Sequence, residues 1–451
     1  MTTFYMEGNF APVRDETTAY DLPIEGTIPT GLSGRYLRNG PNPTTGDPGH
    51  WFFGEGMLHG VELRDGRATW YRNRYVRTAS FNEGRRVVGE NGMLDIEADV
   101  ANTHVIAHGG RILALVENRT PTEVTRELDT VGPFDFGGRL TTAMTAHPKR
   151  CPVTGELHFF GYGIFPPLLT YHRADAAGNL VQSEEITVPG PTMIHDFAIT
   201  EHSVIFMDLP VVCDPSLLMA RTMPYRWSED YGARLGIMPR GNSTNAGVRW
   251  FDIEPCYVFH PLNASERRPG HIEIDVARYP HLWRDGQNAF EPTTLHRWTV
   301  DVAAGTVKEE TIDDRSVEFP RVDERLVGRP ARFGYAVHTR PGPDGFAMET
   351  NLVKYDLVSG TTEEHDFGPG RVPGEGVFVP ASDGAAEDDG YVLAYVYDAG
   401  RDGSDLVILD ASDFSASPVG TVALPQRVPF GFHGSWVDDA RGLHLPPPRP
   451  A

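Results

Sequence analysis

Hydrophobic residues along this chain come in short runs that are soon interrupted. Arg111-Ile-Leu-Ala-Leu-Val116, Glu156-Leu-His-Phe-Phe160, Ser203-Val-Ile-Phe-Met207, Tyr391-Val-Leu-Ala-Tyr-Val396 and Asp405-Leu-Val-Ile-Leu409 are representative. Each is of strand length and is bounded by turn formers such as His-Gly-Gly, Asp-Asp-Gly and Ala-Gly-Arg-Asp-Gly. Many short strands with close turns predict an all-β sandwich, barrel or propeller. Amphipathic helical periodicity is scarce. The one segment with it is Pro215-Ser-Leu-Leu-Met-Ala-Arg221, where Asp214 or Ser216 could cap. No strict internal repeat of the WD or kelch kind is visible.

Composition narrows the class. A chain of 451 residues suggests about three domains at ~150 residues each. That prior yields where propellers are in play, because they run large as one unit. With 48 glycines and 37 prolines spread throughout, and no low-complexity linker, a single domain over 1–451 is expected. Residues 1–30 are expected to pack on it as an N-terminal extension, and 446–451 to form a disordered tail. The net charge of −22 argues against nucleic acid, which calls for a basic footprint. Cys151, Cys213 and Cys256 show no CxxC spacing and no even count, which fits a reducing compartment. There is no basic leader followed by an apolar segment, and no apolar run of 18 residues. The expectation is a soluble, cytoplasmic protein, favoured as a monomer.

Four histidines stand in distinctive contexts. They are His147 in Thr-Ala-His-Pro-Lys, His195 in Met-Ile-His-Asp-Phe, His260 in Val-Phe-His-Pro-Leu-Asn-Ala and His433 in Gly-Phe-His-Gly-Ser-Trp. No two are near enough in sequence to chelate as a local pair. Their separations are 48, 65 and 173 residues, against roughly 64 per blade for seven blades in this length. Inner strands of different blades meet on one axis, so this spacing could aim the four imidazoles at one point. Imidazole suits Fe, Zn, Cu and Ni alike, so the residue type leaves the metal open. The other histidines, among them His50, His104, His158, His172, His202 and His365, read as surface or satisfied core residues.

Other chemistries lack their signatures. Phe53-Gly-Glu-Gly-Met-Leu-His-Gly60 has neither the spacing nor the strand–helix context of a dinucleotide loop. His271-Ile-Glu273 reads as an alternating strand, with Ile272, Ile274 and Val276 on one face, rather than as part of a metal triad. No nucleophile elbow and no HExxH motif occurs.

Seven motifs in order resemble the carotenoid cleavage oxygenase family, which includes stilbene-cleaving oxygenases. They are Leu37-Arg-Asn-Gly-Pro-Asn-Pro43, Gly54-Glu-Gly-Met-Leu-His59, Ala101-Asn-Thr103, Thr145-Ala-His-Pro-Lys-Arg-Cys-Pro-Val-Thr-Gly-Glu-Leu157, Ile194-His-Asp-Phe197, Glu318-Phe-Pro-Arg-Val-Asp323 and Gly431-Phe-His-Gly-Ser-Trp436. The resemblance implies a seven-bladed β-propeller whose loops and short helices cap one non-haem Fe²⁺ on the axis. It implies His147, His195, His260 and His433 as the iron ligands. Glu117, Glu318 and Glu375 would accept the outer N–H of three of them, balancing charge and fixing tautomers. Thr103 would approach the open side of the iron, where O₂ binds.

The implied reaction is oxidative cleavage of a C=C bond by O₂ into two carbonyls. It needs no NAD, flavin, haem or 2-oxoglutarate. The protein would supply metal placement and a dry tunnel for a hydrophobic alkene, with Phe53, Phe259, Phe432 and Trp436 as tunnel residues. The apolar loops Ile164-Phe-Pro-Pro-Leu-Leu169 and Leu217-Leu-Met-Ala220 offer peripheral membrane contact. Stilbene-cleaving relatives carry a lysine before the first of the three glutamates and a tyrosine upstream. Here Val116 holds the lysine position and Val87-Val-Gly-Glu-Asn-Gly-Met-Leu94 has no tyrosine. Pro167-Leu-Leu-Thr-Tyr-His172 looks closer to the carotenoid branch. An apocarotenoid or carotenoid polyene is therefore favoured over a stilbenoid or phenylpropene, and over a non-cleaving isomerase reaction or a binding module on the same scaffold.

Overall fold

The computed structural model describes residues 3–86, 95, 98–220, 222–286, 289–340 and 345–439. The segment 87–94 and the expected tail 446–451 fall outside these residues.

The short hydrophobic runs are strands, and they assemble into a seven-bladed propeller. Blade I holds Gly434–Asp438, Gly34–Pro41, Gly56–Arg64, Arg67–Tyr75 and Thr18–Tyr20, from the axis outward. Blade II holds His104–His108, Arg111–Leu115, Thr122–Val124 and Thr130–Pro133. Blade III holds Lys149–Arg150, Leu157–Tyr162, Leu169–Ala174 and Leu180–Glu185. Blade IV runs from Phe197–Ile199 through Ser203–Asp208 and Ala233–Pro239 to Arg249–Ile253. Blade V runs from Tyr257–Arg268 through His271–Tyr279 and Thr294–Asp301 to Thr306–Asp313. Blade VI runs from Val317–Arg321 through Phe333–Thr339 and Met348–Asp356 to Thr361–Asp366. Blade VII holds Val377–Pro380 and Arg371–Pro373 against Gly390–Asp398, then Gly403–Asp410, Gly420–Ala423 and Ile24–Gly26.

Burial follows position in the blade. Gly34–Pro41 and Ser203–Asp208 are buried along their whole length. The outermost strands are rich in charge: Thr361–Asp366 reads Thr-Thr-Glu-Glu-His-Asp, and Thr306–Asp313 carries Lys308, Glu309, Glu310 and Asp313. Charged outer edges discourage pairing with a further strand. The alternation in 271–279 is as expected, with Ile272, Ile274 and Val276 fully buried.

The ring closes through both ends of the chain. Gly434–Asp438 pairs antiparallel with Gly34–Pro41, setting Tyr36 opposite Trp436 and Arg38 opposite Gly434. Ile24–Gly26 adds an outer strand to blade VII through Gly420–Ala423. Over one face lies a cap. It contains the helical turn Trp51–Phe53 and the hairpin Val211–Cys213/Tyr225–Trp227. Between the hairpin strands the weak helical segment forms a single short helix, Pro215–Met219, and Asp214 Oδ1 accepts from Ser216 N at 2.8 Å.

The blades are held by packing between large apolar residues. Trp298 is fully buried in the third strand of blade V, and its indole N–H donates to Glu309 at 2.9 Å. Trp298→Ala is expected to lower stability by about 3–5 kcal/mol, through lost contacts and the void left behind. A thermal midpoint within a degree of wild type would contradict this packing role.

Candidate metal centre

Each blade delivers one polar side chain to the axis, from its inner strand or from the residues just before that strand. Blades I, III, IV and V bring His433, His147, His195 and His260. Blade II brings Thr103, just before its inner strand, and blades VI and VII bring Glu318 and Glu375. Local backbone irregularity aims two of these groups. The pairing of 257–268 shifts register around Pro261, whose missing N–H cannot join a ladder. The register of 317–321 also shifts after Glu318, and Phe319 adopts a left-handed φ of 53°. That strained conformation turns the Glu318 carboxylate toward His260 and lays the Phe319 ring over it, with centroids 5.4 Å apart.

The sequence motifs fasten these strands together. Asn39 Nδ2 donates to the carbonyls of Ala101 and His104, at 2.7 and 3.0 Å. The Asn39 backbone exchanges hydrogen bonds with Phe432 and His433, and His433 N donates to Thr103 O at 3.1 Å. Gly40 and Gly431 meet so closely that a Cβ on Gly40 would lie 2.7 Å from Gly431 Cα. Asn102 Nδ2 bonds the carbonyls of Phe52 and Gly54, at 2.8 and 2.7 Å, anchoring the cap to the site.

The four imidazoles converge. His260 Nε2 lies 3.1 Å from His433 Nε2 and 3.3 Å from His195 Nε2. The His147 ring centroid is 4.5–5.1 Å from those of His195, His433 and His260. All four are buried. Burial and the neighbouring imidazoles hold His147 and His433 well below the usual histidine range, in the neutral, ligating form. Burial also opposes charge on His260, but the Glu318 carboxylate overrides it and pushes this histidine up.

Carboxylates hold the outer nitrogens. His260 Nδ1 lies 2.5 Å from Glu318 Oε2, and His433 Nδ1 lies 2.8 Å from Glu375 Oε1. His195 Nδ1 is paired with Glu117, whose other oxygen accepts from the Tyr162 hydroxyl. Glu318 also accepts from Phe319 N at 2.7 Å, and Glu375 from Gly434 N at 2.8 Å.

This arrangement fits a cation. An imidazole that donates Nδ1–H to a carboxylate presents a lone pair at Nε2. Nε2 atoms facing one another at 3.1–3.3 Å repel unless a shared proton or a metal cation lies among them. His147 Nε2 has no hydrogen-bond partner although it is buried. His147, His260 and His433 place ligand atoms within 4.8 Å of one another. A neutral nitrogen donor set with adjacent carboxylates suits a divalent transition metal.

Two cavities reach the cluster from opposite faces. On the cap side, a cavity of ≈ 760 Å³ touches His195, His260 and His433. Thr103, Phe53, Phe259 and Phe432 line it, together with Phe52, Phe319, Phe346 and Tyr162. Its solvent-facing end includes Ile164, Phe165 and Pro215, and Phe165 is 75 % exposed. Along the axis, a second and more polar channel of ≈ 1290 Å³ reaches His147, His260 and His433 past Lys149, Asp196, Arg321 and Glu375.

Trp436 corrects the expectation of four tunnel aromatics. It lines the axial channel, not the apolar cavity, and its indole lies against Gly34. The strand after His433 runs away from the cap, so three residues carry Trp436 roughly 10 Å down the axis.

Sequence reasoning passed over several neighbours. His104, placed among ordinary histidines, is buried with its ring centroid 5.2 Å from that of His433. Its Nδ1 is 2.9 Å from Ala146 O, so it is a satisfied core residue beside the cluster. His158 pairs with Tyr171, His172 with Thr142 and Ser183, and His365 with Phe414 O, while His50 caps the turn Trp51–Phe53. Asp196 lies 3.7 Å from His147 Nδ1 and is paired with Lys149. The one available signal was that both are one or two residues from a singled-out histidine.

The chain matches the family model "Retinal pigment epithelial membrane protein" over residues 10–438. It is 42% identical to a carotenoid cleavage oxygenase of Mycobacterium tuberculosis, over 96% of this chain and 97% of that one. It is 35% identical to the carotenoid 9,10(9',10')-cleavage dioxygenase 1 of Arabidopsis thaliana, over 96% and 90% of the two chains. Among solved structures it superposes on the lignostilbene dioxygenase of Pseudomonas brassicacearum with a TM-score of 0.88, at 30% identity over 97% of this chain and 98% of that one. It superposes on a cobalt-substituted Synechocystis apocarotenoid oxygenase with a TM-score of 0.84, at 31% identity over 95% and 97% of the chains. Fold, centre and relatives agree: the chain belongs to the carotenoid cleavage oxygenase family.

Proposed function

We propose that this protein is a non-haem Fe²⁺ dioxygenase that cleaves one C=C bond of an apocarotenoid or carotenoid polyene with O₂, giving two carbonyl products. The observation that carries this reading is the convergence of four buried imidazole nitrogens at the floor of an apolar cavity. His147, His195, His260 and His433 would hold the metal, with Glu117, Glu318 and Glu375 behind three of them. Bound there, ferrous iron supplies the activation of O₂ that splits the double bond.

The chain's own part is placement and exclusion of water. Phe52, Phe53, Phe259, Phe319 and Phe432 wall the cavity. Such walls keep a polyene dry and hold one double bond over the histidines. Thr103 stands on the same side, its hydroxyl tied to Asn102 Oδ1 at 2.9 Å. No residue on this path needs to act as acid or base.

The polyene is favoured by what the cavity lacks. Val116 lines it, and no lysine does among the described residues. Arg119 also lines it, but its guanidinium is spent on the carbonyls of Ala98, Asn118 and Asp95. Among the described lining residues, no lysine and no uncommitted arginine is present to bind a phenolate. The stilbenoid reading rests on the likeness to lignostilbene dioxygenase. Phe165, Ile164 and Pro215 at the mouth would let the protein take an apolar substrate from a membrane surface. No helix among the described residues is long and apolar enough to cross a membrane.

Mass spectrometry of Fe²⁺-loaded protein in air, with a β-apocarotenal and resveratrol in parallel, tests the reading. An aldehyde pair from the polyene alone is expected, and its masses locate the bond. Aldehydes from resveratrol alone would overturn the polyene assignment.

A further inference from the structure

Four carboxylates surround the histidine cluster, and they divide into two kinds. Asp196 and Glu375 line the axial channel, and each carries a cation. Lys149 Nζ lies 2.8 and 2.9 Å from the two oxygens of Asp196. Arg321 Nη1 lies 3.3 Å from Glu375 Oε1. Glu117 and Glu318 line the apolar cavity instead. Among the described residues no lysine or arginine forms a salt bridge to either; their partners include His195, Tyr162, His260, Tyr279 and Phe319 N.

The geometry points to a centre whose charge is set by Lys149 and Arg321. With these two cations in place, two of the four carboxylates have no lysine or arginine in a salt bridge with them among the described residues. We infer that Lys149 and Arg321 hold bound iron in its ferrous state by denying the extra negative charge that would stabilise the ferric state. In a buried site, one unit charge within about 10 Å shifts such an equilibrium by a factor of about ten or more. Arg321 shares its charge with Glu324 at 2.6 Å, but the Glu324 side chain is 56 % exposed and screened by solvent. Among the described residues Lys149 is paired with Asp196 and no other carboxylate, so it gives the cleaner test. Its side chain is only 20 % exposed, and Asp196 is 2 % exposed. Both cations act through the carboxylates and are positioning residues, not groups that touch substrate.

This inference rests on the iron reading above. The test is an anaerobic redox titration of iron-loaded protein, with the ferric fraction read by electron paramagnetic resonance and bound iron measured in the same samples. Lys149→Met should raise the ferric-to-ferrous ratio at a given potential about tenfold or more. Lys149→Arg should stay near wild type. The double variant Lys149→Met/Asp196→Asn removes one charge of each sign and should also return to wild type. A structural defect would not be repaired by the second substitution. A Lys149→Met ratio equal to wild type, with iron fully bound, overturns the inference while leaving the metal site intact. So does a double variant shifted as far as Lys149→Met. Wild-type protein that holds no iron overturns the metal reading and this inference with it.

Discussion

His260→Ala is expected to empty the metal site and end alkene cleavage. His260 is the central member of the cluster, with its Nε2 3.1 Å from that of His433 and 3.3 Å from that of His195. Alanine removes one of four ligands and also strands Glu318, which is 2 % exposed and 2.5 Å from the lost ring. A buried carboxylate without its partner is costly, and repulsion among the remaining groups adds to the loss. The variant should retain less than about a tenth of the wild-type metal after loading and dialysis, with no detectable products. Circular dichroism and a melting curve separate this outcome from unfolding. A folded, metal-free His260→Ala protein with full activity would sink the assignment.

Glu318→Gln carries the second-largest effect. Glutamine has the size of glutamate and still offers an oxygen to Phe319 N. It removes one of the two carboxylates that have no salt bridge to lysine or arginine among the described residues. Glu318 Oε2 accepts from both Phe319 N and His260 Nδ1, so an amide oxygen kept there gives His260 only a neutral, weaker acceptor and holds its ligating tautomer less firmly. Metal affinity or turnover should fall roughly 10–100-fold. Equilibrium dialysis with Fe²⁺ or Co²⁺ reads the first and initial rates read the second. Glu375→Gln should show a smaller effect, because Arg321 already offsets that charge and Gly434 N holds the other oxygen. Wild-type affinity and rate in Glu318→Gln would reject the role given to this carboxylate.

The strands were legible in the chain, and the ring they form was not. Runs such as 203–207 and 405–409 fall within Ser203–Asp208 and Gly403–Asp410 because turn formers bound them so closely. Closure depends on pairs such as Tyr36 with Trp436, which no local pattern encodes. Blades of unequal length, with a cap hairpin inserted in blade IV, also erase any repeat. The propeller was reached through motif resemblance instead.

The site was read in the same uneven way. The histidines and glutamates could be named because each lies in a distinctive motif. The cations that balance two of the carboxylates could not, since the pairing of Lys149 with Asp196 and of Arg321 with Glu375 joins different blades. Asn39 was visible only as part of a motif, yet it ties the His433 and Thr103 segments together. Phe432 and Trp436 looked equivalent as aromatics flanking His433. They fall on opposite sides of the centre because the direction of the inner strand through the ring is a tertiary property.

The most direct test counts products against bound iron. Metal-free protein is loaded anaerobically with graded Fe²⁺, given a β-apocarotenal, and opened to air. The account predicts a pair of carbonyl products whose initial rate rises in proportion to bound iron and saturates at one iron per chain. Cleavage that proceeds equally in chelated protein, or a fully loaded protein that consumes no O₂ with any polyene or stilbene offered, would contradict it.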